Sequence, residues 1–353
     1  MFYHLIMHTG CNLKCKYCDK DEFIPYDDET YELCMPEKPE YSIEDLKKKI
    51  TEEDYLTFYG GGEPLLNIPM IKEIMDNVKC KGFMIQTNGM LLEKLGDYVK
   101  RMHTILISID GDEEITDKNR GKGVHKKVME NVAWVKENFD RELIARMCIS
   151  EGSNVYEQVK WLMENGFESV HWQLDVMFYE EEKIEWLENY NLEITKLMDY
   201  WMSKMREGKV LRMYPFLVIM DSLLKNEKST LRCGCGIENF TITTQGKIAP
   251  CPIMSEMKKY YVGDIKEKEV KKMYVGEPCS SCEVLDLCGG RCLYANLTKL
   301  WGEKGWEKVC GTVKHLIKSL EENKKEVEKL IENKTISLDD FKHVKYNGVE
   351  VVP

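Results

Sequence analysis

What this chain lacks narrows what it can be. No apolar run among its 353 residues approaches the length that spans a bilayer, so no transmembrane helix is expected. No basic leading region precedes the short apolar stretch Met1 to Met7, which runs straight into a cysteine loop, so no secretory signal is expected. Positive charge is not in excess either: the formal net charge of −11 argues against nonspecific binding to nucleic acid or to anionic membranes. Internal repeats and low-complexity tracts are absent as well. What remains is a chain with 43% hydrophobic and 31% charged residues, long enough for one large α/β domain and a smaller appendage, and expected in the cytoplasm.

Cysteine is what the chain has in quantity. Eleven of its fourteen cysteines fall in two regions, three at 11–18 and eight at 233–310. Cytosolic reductants keep thiols reduced, so such clusters read as metal ligands and not as a disulfide framework. Cys11, Cys15 and Cys18 make C-x3-C-x2-C. Three thiolates on one short loop can bind three irons of a four-iron cluster and leave the fourth iron open to a substrate or cofactor. A structural zinc site would need a fourth Cys or His, and Asp19, Lys20, Asp21 and Glu22 supply none.

Along the chain, strands and helices alternate. Strands are expected at Phe2 to Met7, Tyr55 to Tyr59, Gly82 to Gln86, Thr104 to Ile109, Leu143 to Ile149 and Ser169 to Leu174. Helices are expected after them, at Ser42 to Ile50, Pro69 to Val78, Leu91 to Arg101, His125 to Asn138, Val155 to Glu164 and about Glu181 to Arg206. A long irregular stretch, Phe23 to Tyr41, interrupts this order. Six strands each followed by a helix predict a parallel sheet with right-handed crossovers, open or closed into a barrel. Its functional residues belong at the C-terminal ends of the strands. The glycine and polar signals do fall there: Gly60-Gly61-Gly62-Glu63-Pro64 after the second strand, Thr87-Asn88-Gly89 after the third, Ser108 to Gly111 at the end of the fourth. Beyond Arg206 the alternation stops. Val210 to Leu224 reads as a bridge, Phe240 to Ala249 as a hairpin turning at Gln245-Gly246, and Thr312 to Glu332 as a charged amphipathic helix.

The first cysteine motif, with Tyr17 just before its last cysteine and at the end of a first strand, resembles the radical S-adenosylmethionine (SAM) superfamily. The resemblance implies a partial (β/α)6 TIM-like barrel over 1–206, with the open iron chelated by SAM and reduced to yield a 5′-deoxyadenosyl radical. It implies that Tyr17 lies beside the adenine, that Gly60, Gly61 and Gly62 let the backbone approach the cofactor, and that Glu63 holds the methionine amino group. Asn88, Ser108 and Asp110 join the cofactor rim. Arg146, an odd residue for an inner strand, suits the SAM carboxylate, with Arg120 the competing candidate.

The second cysteine region is similar to the SPASM domain, an extension that binds auxiliary iron–sulfur clusters. Cys279-x2-Cys282-x5-Cys288-x3-Cys292 is followed by Cys310 and preceded by Cys233 and Gly246-x4-Cys251. The resemblance implies 207–232 as a bridge, 233–310 as the cluster domain and 311–353 as a terminal helix and tail. It implies Cys279, Cys282, Cys288 and Cys310 on an outer cluster, and Cys233, Cys251 and Cys292 on an inner one. The inner cluster's fourth ligand is either Cys235 or none, leaving an iron open to substrate. The competing reading of the region is a pair of structural zinc knuckles.

Taken together these features resemble radical SAM/SPASM enzymes, most of all archaeal peptide-modifying ones. The implied cofactors are SAM and three [4Fe-4S] clusters. The implied partners are a peptide or protein substrate, a one-electron reductant such as ferredoxin or flavodoxin, and a separate protein for leader binding if the barrel or SPASM region does not read the leader itself. Only Met1 to Gly10 precede the first cysteine motif. Sulfatase-maturing members carry an aspartate directly after the cysteine that matches Cys251, and this chain has Pro252, which disfavours that activity. Substrate contacts are expected from His171, Gln173 and Asp175, which share one face of the last barrel strand by their period of two, with Cys34 as a candidate hydrogen-atom donor. Cys80 and Cys148 read as ordinary free cysteines. The alternatives are a radical SAM enzyme acting on a small molecule or cofactor precursor, and a noncatalytic iron–sulfur or zinc protein. The glycine motif and Arg146 speak for the enzyme.

Overall fold

The computed structural model describes residues 1–18, 29–32, 34–175, 185–299, 302–345 and 350–353. The residues just after Cys18, much of the irregular stretch, Val176 and the first residues of the helix expected from Glu181 lie outside that set.

The chain forms two compact units, one of 1–109, 113–144 and 234–274, the other of 110–112, 145–233 and 275–353. The first unit is built on β1 (Phe2–Ile6), a run of five buried residues that can only be a central strand. β2 (Tyr55–Tyr59) pairs with it in parallel, His4 opposite Thr57, and β3 (Gly82–Thr87) and β4 (Met102–Ser108) follow in the same sense. Helices α1 (Ile43–Lys49), α2 (Ile68–Asn77), α3 (Glu113–Arg120) and α4 (Val124–Asn138) belong to this unit. Ser42 and Asp45 form the expected capping box at α1. β5 (Glu142–Ile149) begins in the first unit and ends in the second.

Two expectations change here. Leu92–Arg101 is 3-10 helix interrupted at Gly96, whose φ of 59° no regular helix tolerates, and not one α-helix. α3 was not foreseen, because its sequence contains one apolar residue, Ile115, and so no helical period.

The first unit also takes strands from the second cysteine region. β8 (Asn239–Ile242) lies parallel beside β1, with Thr241 opposite His4, and β9 (Lys247–Ala249) and β10 (Gly263–Asp264) add antiparallel. The hairpin turns where expected: Gly246, at φ 83°, donates its N–H to the Thr243 carbonyl at 2.9 Å.

The second unit contains α5 (Val155–Glu164), β6 (Ser169–Leu174), α6 (Trp186–Arg206), β7 (Arg212–Met213), α7 (Tyr214–Lys225), α8 (Leu285–Cys288), α9 (Leu293–Thr298) and α10 (Gly302–Glu332). β6 and β7 pair in parallel. Trp172 of β6 points at the helices, its indole N–H donating to Tyr190 at 3.0 Å and its ring meeting Phe216 edge-on. By strand alternation His171 and Gln173 therefore face the other way. α10 starts ten residues before the expected Thr312, which puts Cys310 inside it. No helix among the described residues is long and apolar enough to cross a membrane.

Candidate active site and cluster cysteines

In the first unit, the loop after β1 carries the three leading cysteines. Cys11 and Cys18 are exposed and Cys15 is half-buried, all as free thiols. The backbone behind them is clamped. His8 accepts the Gly10 N–H on Nδ1 at 2.9 Å, which puts its own proton on Nε2, 3.3 Å from Glu37. The Lys16 N–H reaches the Asn119 carbonyl at the end of α3 at 2.7 Å, and the Cys18 N–H reaches the Cys15 carbonyl at 3.0 Å.

The glycine motif after β2 is bolted to the same loop. Gly62 N–H donates to the His8 carbonyl at 3.1 Å and Glu63 N–H to the Gly10 carbonyl at 2.9 Å. The approach is so close that a Cβ on Gly62 would sit 1.9 Å from the Gly10 oxygen. Only glycine permits this contact.

That contact delivers Glu63, which is 1% exposed. Its carboxylate accepts hydrogen bonds from Thr87 Oγ1 at 2.6 Å, Asn88 N at 2.8 Å and Leu65 N at 3.0 Å. Burial pushes its pKa above the ordinary carboxyl range, and the three donors only partly oppose that. No lysine, arginine or histidine is paired with it among the described residues. A carboxylate has about four lone-pair positions, so one is left for an ammonium group. Asn88 closes the side of the site, donating to Asn12 Oδ1 at 2.7 Å and reaching Cys11 Sγ at 3.8 Å. Arg120, 7% exposed, sets its guanidinium 5.4 Å from the ring centre of Tyr17, a cation–π contact.

Cys11, Cys15, Cys18, Tyr17, Gly60 to Glu63, Asn88 and Arg120 thus come together in one unit. Ser108 ends β4, half-buried, and exposed Cys34 also belongs to this unit. Thr87, Asn12, His8 and Asn119 complete the site and were missed as individuals. Thr87 had a signal, since it ends β3 and opens the polar triplet there. Asn12 acts through the Asn88 side chain, and His8 and Asn119 bond the cysteine loop through local or backbone groups.

In the second unit, Asp110 is fully buried and accepts the Cys148 N–H at 3.0 Å, so it anchors the end of β5. Arg146 meets His171, and the other ring nitrogen of His171 lies 3.1 Å from the Val351 carbonyl. Burial and the neighbouring guanidinium hold the His171 pKa well below its usual value. The ring is therefore neutral: Nδ1 accepts from Arg146 and Nε2 donates to Val351. Gln173 and Asp175 are half-buried on the same face.

The second unit also holds a cavity whose wall includes Cys279, Cys282, Cys288, Cys310 and, in addition, Cys292. Trp306 and Val313 of α10 form its apolar side. Burial pushes the thiols of Cys279 and Cys288 up, and that of Cys310 up to about 12. Such thiols become thiolates when a metal replaces the proton. Of the remaining cysteines, buried Cys235 and Cys251 belong to the first unit, where the Gly236 N–H bonds to the Pro250 carbonyl at 2.9 Å; Cys233 and Cys292 belong to the second. Among the described residues no three His, Cys, Asp or Glu side chains converge as closely as a single metal ion requires.

The donor chemistry fits an iron–sulfur cluster with an amino-acid ligand: soft thiols on an open loop, and beside them a buried carboxylate without a cation. Comparison with known proteins agrees. Residues 5–155 match the Radical SAM superfamily. The chain is 21% identical over 324 residues to a cysteine-type anaerobic sulfatase-maturating enzyme of Clostridium perfringens, covering 80% of this chain and 86% of the relative. It is 30% identical over 172 residues to a 7-carboxy-7-deazaguanine synthase of Methanocaldococcus jannaschii, covering 44% of this chain and 66% of that one. Among solved structures, native anSMEcpe with bound AdoMet and Kp18Cys peptide superposes with a TM-score of 0.71 at 20% identity, covering 92% of this chain and 99% of the other. That likeness establishes the fold, a mixed α/β architecture with a parallel sheet matching the radical SAM partial barrel.

Proposed function

We propose, from the premise that this chain is a radical SAM enzyme, that its substrate is a peptide or protein. Cys11, Cys15 and Cys18 hold the [4Fe-4S] cluster at which SAM binds. Bound there, the reduced cluster and SAM would supply the 5′-deoxyadenosyl radical chemistry that abstracts a hydrogen atom from the substrate. The chain's own residues bind and orient. Glu63 takes the ammonium group of SAM on its remaining lone pair, Gly60 to Gly62 admit the cofactor against the backbone, and Tyr17, Asn88, Ser108, Asp110, Arg120 and Arg146 shape the rest of its pocket. Cys279, Cys282, Cys288 and Cys310 hold an outer auxiliary cluster; Cys233, Cys251, Cys292 and either Cys235 or a substrate group hold an inner one. Residues 1–206 act as the barrel, 207–232 as a bridge, 233–310 as the cluster domain and 311–353 as the terminal helix and tail. Gln173, Asp175, His171 and Cys34 face or approach the substrate. A ferredoxin or flavodoxin delivers the electron, and a separate protein presents a leader where one is used.

The observation that carries this reading is Glu63, a buried carboxylate with three donors and, among the described residues, no basic partner, tied by its own N–H to the cysteine loop. An electron carrier has no need of it. The peptide substrate is favoured by the reach of the match: the sulfatase-maturating relative aligns over 80% of this chain and the deazaguanine synthase over 44%. Pro252, at the start of a 3-10 turn, stands where the resemblance places the aspartate of a sulfatase-maturing enzyme, which disfavours a sulfatase as that peptide or protein. Anaerobically reconstituted protein is expected to hold about twelve irons, four per cluster, and to cleave SAM to 5′-deoxyadenosine. Zinc in place of iron, with no cleavage under strong reductant, overturns the proposal. Coexpression with a short peptide encoded beside the gene, followed by mass spectrometry, identifies the bond made.

A further inference from the structure

The turn between Cys288 and Cys292 is unusual. Gly289, Gly290 and Arg291 all take left-handed backbone, at φ 71°, 88° and 49°. A Cβ on Gly289 would lie 2.8 Å from Leu231 N, and one on Gly290 would lie 2.7 Å from the Val275 side chain. Both places therefore require glycine for space as well as for φ. Arginine gains nothing from this conformation on its own account. The turn places Arg291 in the wall of the five-cysteine cavity, between Cys288 and Cys292.

Arg291 lines the same cavity as Cys288 and Cys310, so its side chain belongs to the wall that would enclose the cluster. The other cation on the wall, Lys314, is paired with Glu283 at 3.0 Å. Reduction of an iron–sulfur cluster adds one negative charge. N–H donors to its sulfurs and a guanidinium close by stabilise the reduced form and raise the potential.

We infer that Arg291 is a positioning residue that, together with its left-handed turn, sets the reduction potential of the outer auxiliary cluster and holds it high. The inference rests on the reading of Cys279, Cys282, Cys288 and Cys310 as that cluster's ligands. It concerns an electronic property of the cluster, separate from whether SAM is cleaved.

The test uses full-length protein carrying Cys11→Ala, Cys15→Ala and Cys18→Ala, reconstituted anaerobically so that only auxiliary clusters remain. Their midpoint potentials are read by redox titration followed by electron paramagnetic resonance. With Arg291→Met added, one potential is expected to fall by at least about 59 mV, a tenfold change for a one-electron couple, and the other to stay. Arg291→Lys should return most of the difference, since it restores the charge; a merely structural role would not follow charge. Full iron content with both potentials unmoved in Arg291→Met overturns the inference while leaving the cluster reading intact. Should that variant lose iron, Arg291→Gln, polar and uncharged, is judged by the same criterion. If the triple-alanine protein holds no auxiliary iron, the cluster reading itself fails and this inference falls with it.

Discussion

The two cysteine sites solve opposite problems. The loop of Cys11, Cys15 and Cys18 leaves two of its three thiols exposed, and its order lies behind them, in the His8, Gly62 and Glu63 backbone bonds. The cavity of Cys279, Cys282, Cys288 and Cys310 buries two of its four and surrounds them with apolar side chains of α8 and α10. A site that must exchange a small molecule at every turnover has to keep its metal edge open. Specificity then has to come from a neighbour, and the proposed function gives that part to Glu63. A site that only holds a cluster can enclose it, and gains from enclosure because a low dielectric strengthens every charge placed beside it.

The sharpest way to break this comparison is to remove sulfurs from each side. Replacing Cys11, Cys15 and Cys18 by alanine is expected to abolish SAM cleavage, measured as 5′-deoxyadenosine by chromatography. Replacing Cys279 and Cys282 should leave part of the cleavage and remove the modified product. Equal loss from both sets would show that the two sites are not separable. Next in size is Glu63→Ala. It strands the donors on Leu65, Thr87 and Asn88, at about 1–3 kcal/mol for each one left unsatisfied. It also removes a charge-assisted hydrogen bond to the ligand, about 1.5–3 kcal/mol. SAM affinity by calorimetry should fall roughly ten- to a hundredfold, with auxiliary iron content unchanged.

A finer comparison lies inside the glycine motif. A Cβ on Gly62 would overlap the Gly10 oxygen at 1.9 Å, whereas one on Gly61 would find its nearest neighbour at 3.9 Å. Gly62→Ala should therefore destabilise the protein by at least about 1–3 kcal/mol, the usual cost of overpacking, and disturb the cysteine loop. Gly61→Ala should stay within about 0.5 kcal/mol. Thermal denaturation distinguishes them. Equal melting temperatures would mean that the motif's tight contact with the loop is not maintained in solution.

Much of this was legible from local signals. β1 announces itself by five consecutive residues that pack on both faces, and the rim residues by glycines and polar side chains at strand ends. What was not legible depends on partners far along the chain. Nothing in Asn239–Ile242 says that it will lie parallel to β1, because register between strands so distant along the chain is set by the packed sheet and not by either sequence. Arg146 and His171 were each singled out, yet their pairing was not, since an arginine on an inner strand suggests an anion before it suggests a neutral imidazole. α3 escaped for want of apolar period, although it supplies the Asn119 carbonyl and Arg120. Gly96, inside the helix expected over Leu91 to Arg101, proved to be a break. In each case the deciding energy was tertiary.

The smallest effect tests why the two sites differ in what relieves them. Both hold acids whose pKa is raised by burial, Glu63 in one, Cys279, Cys288 and Cys310 in the other. A raised acid is held more tightly by its proton in the folded state. Its contribution to stability is complete below the unfolded value, about 4.3 for glutamate, and is lost as pH rises through the folded one. Without SAM, the melting temperature of the wild-type protein should therefore decline across that acidic window relative to Glu63→Gln, which has no such proton to lose. An ammonium group beside the carboxylate favours the charged form and brings the pKa back down. Saturating SAM should flatten the decline in the wild type and leave Glu63→Gln unaffected. On the proposed reading the thiols do not respond to SAM in this way, because iron and not an ammonium group replaces their proton. A wild-type decline that persists unchanged with SAM bound would place the ammonium elsewhere and remove Glu63 from its proposed role.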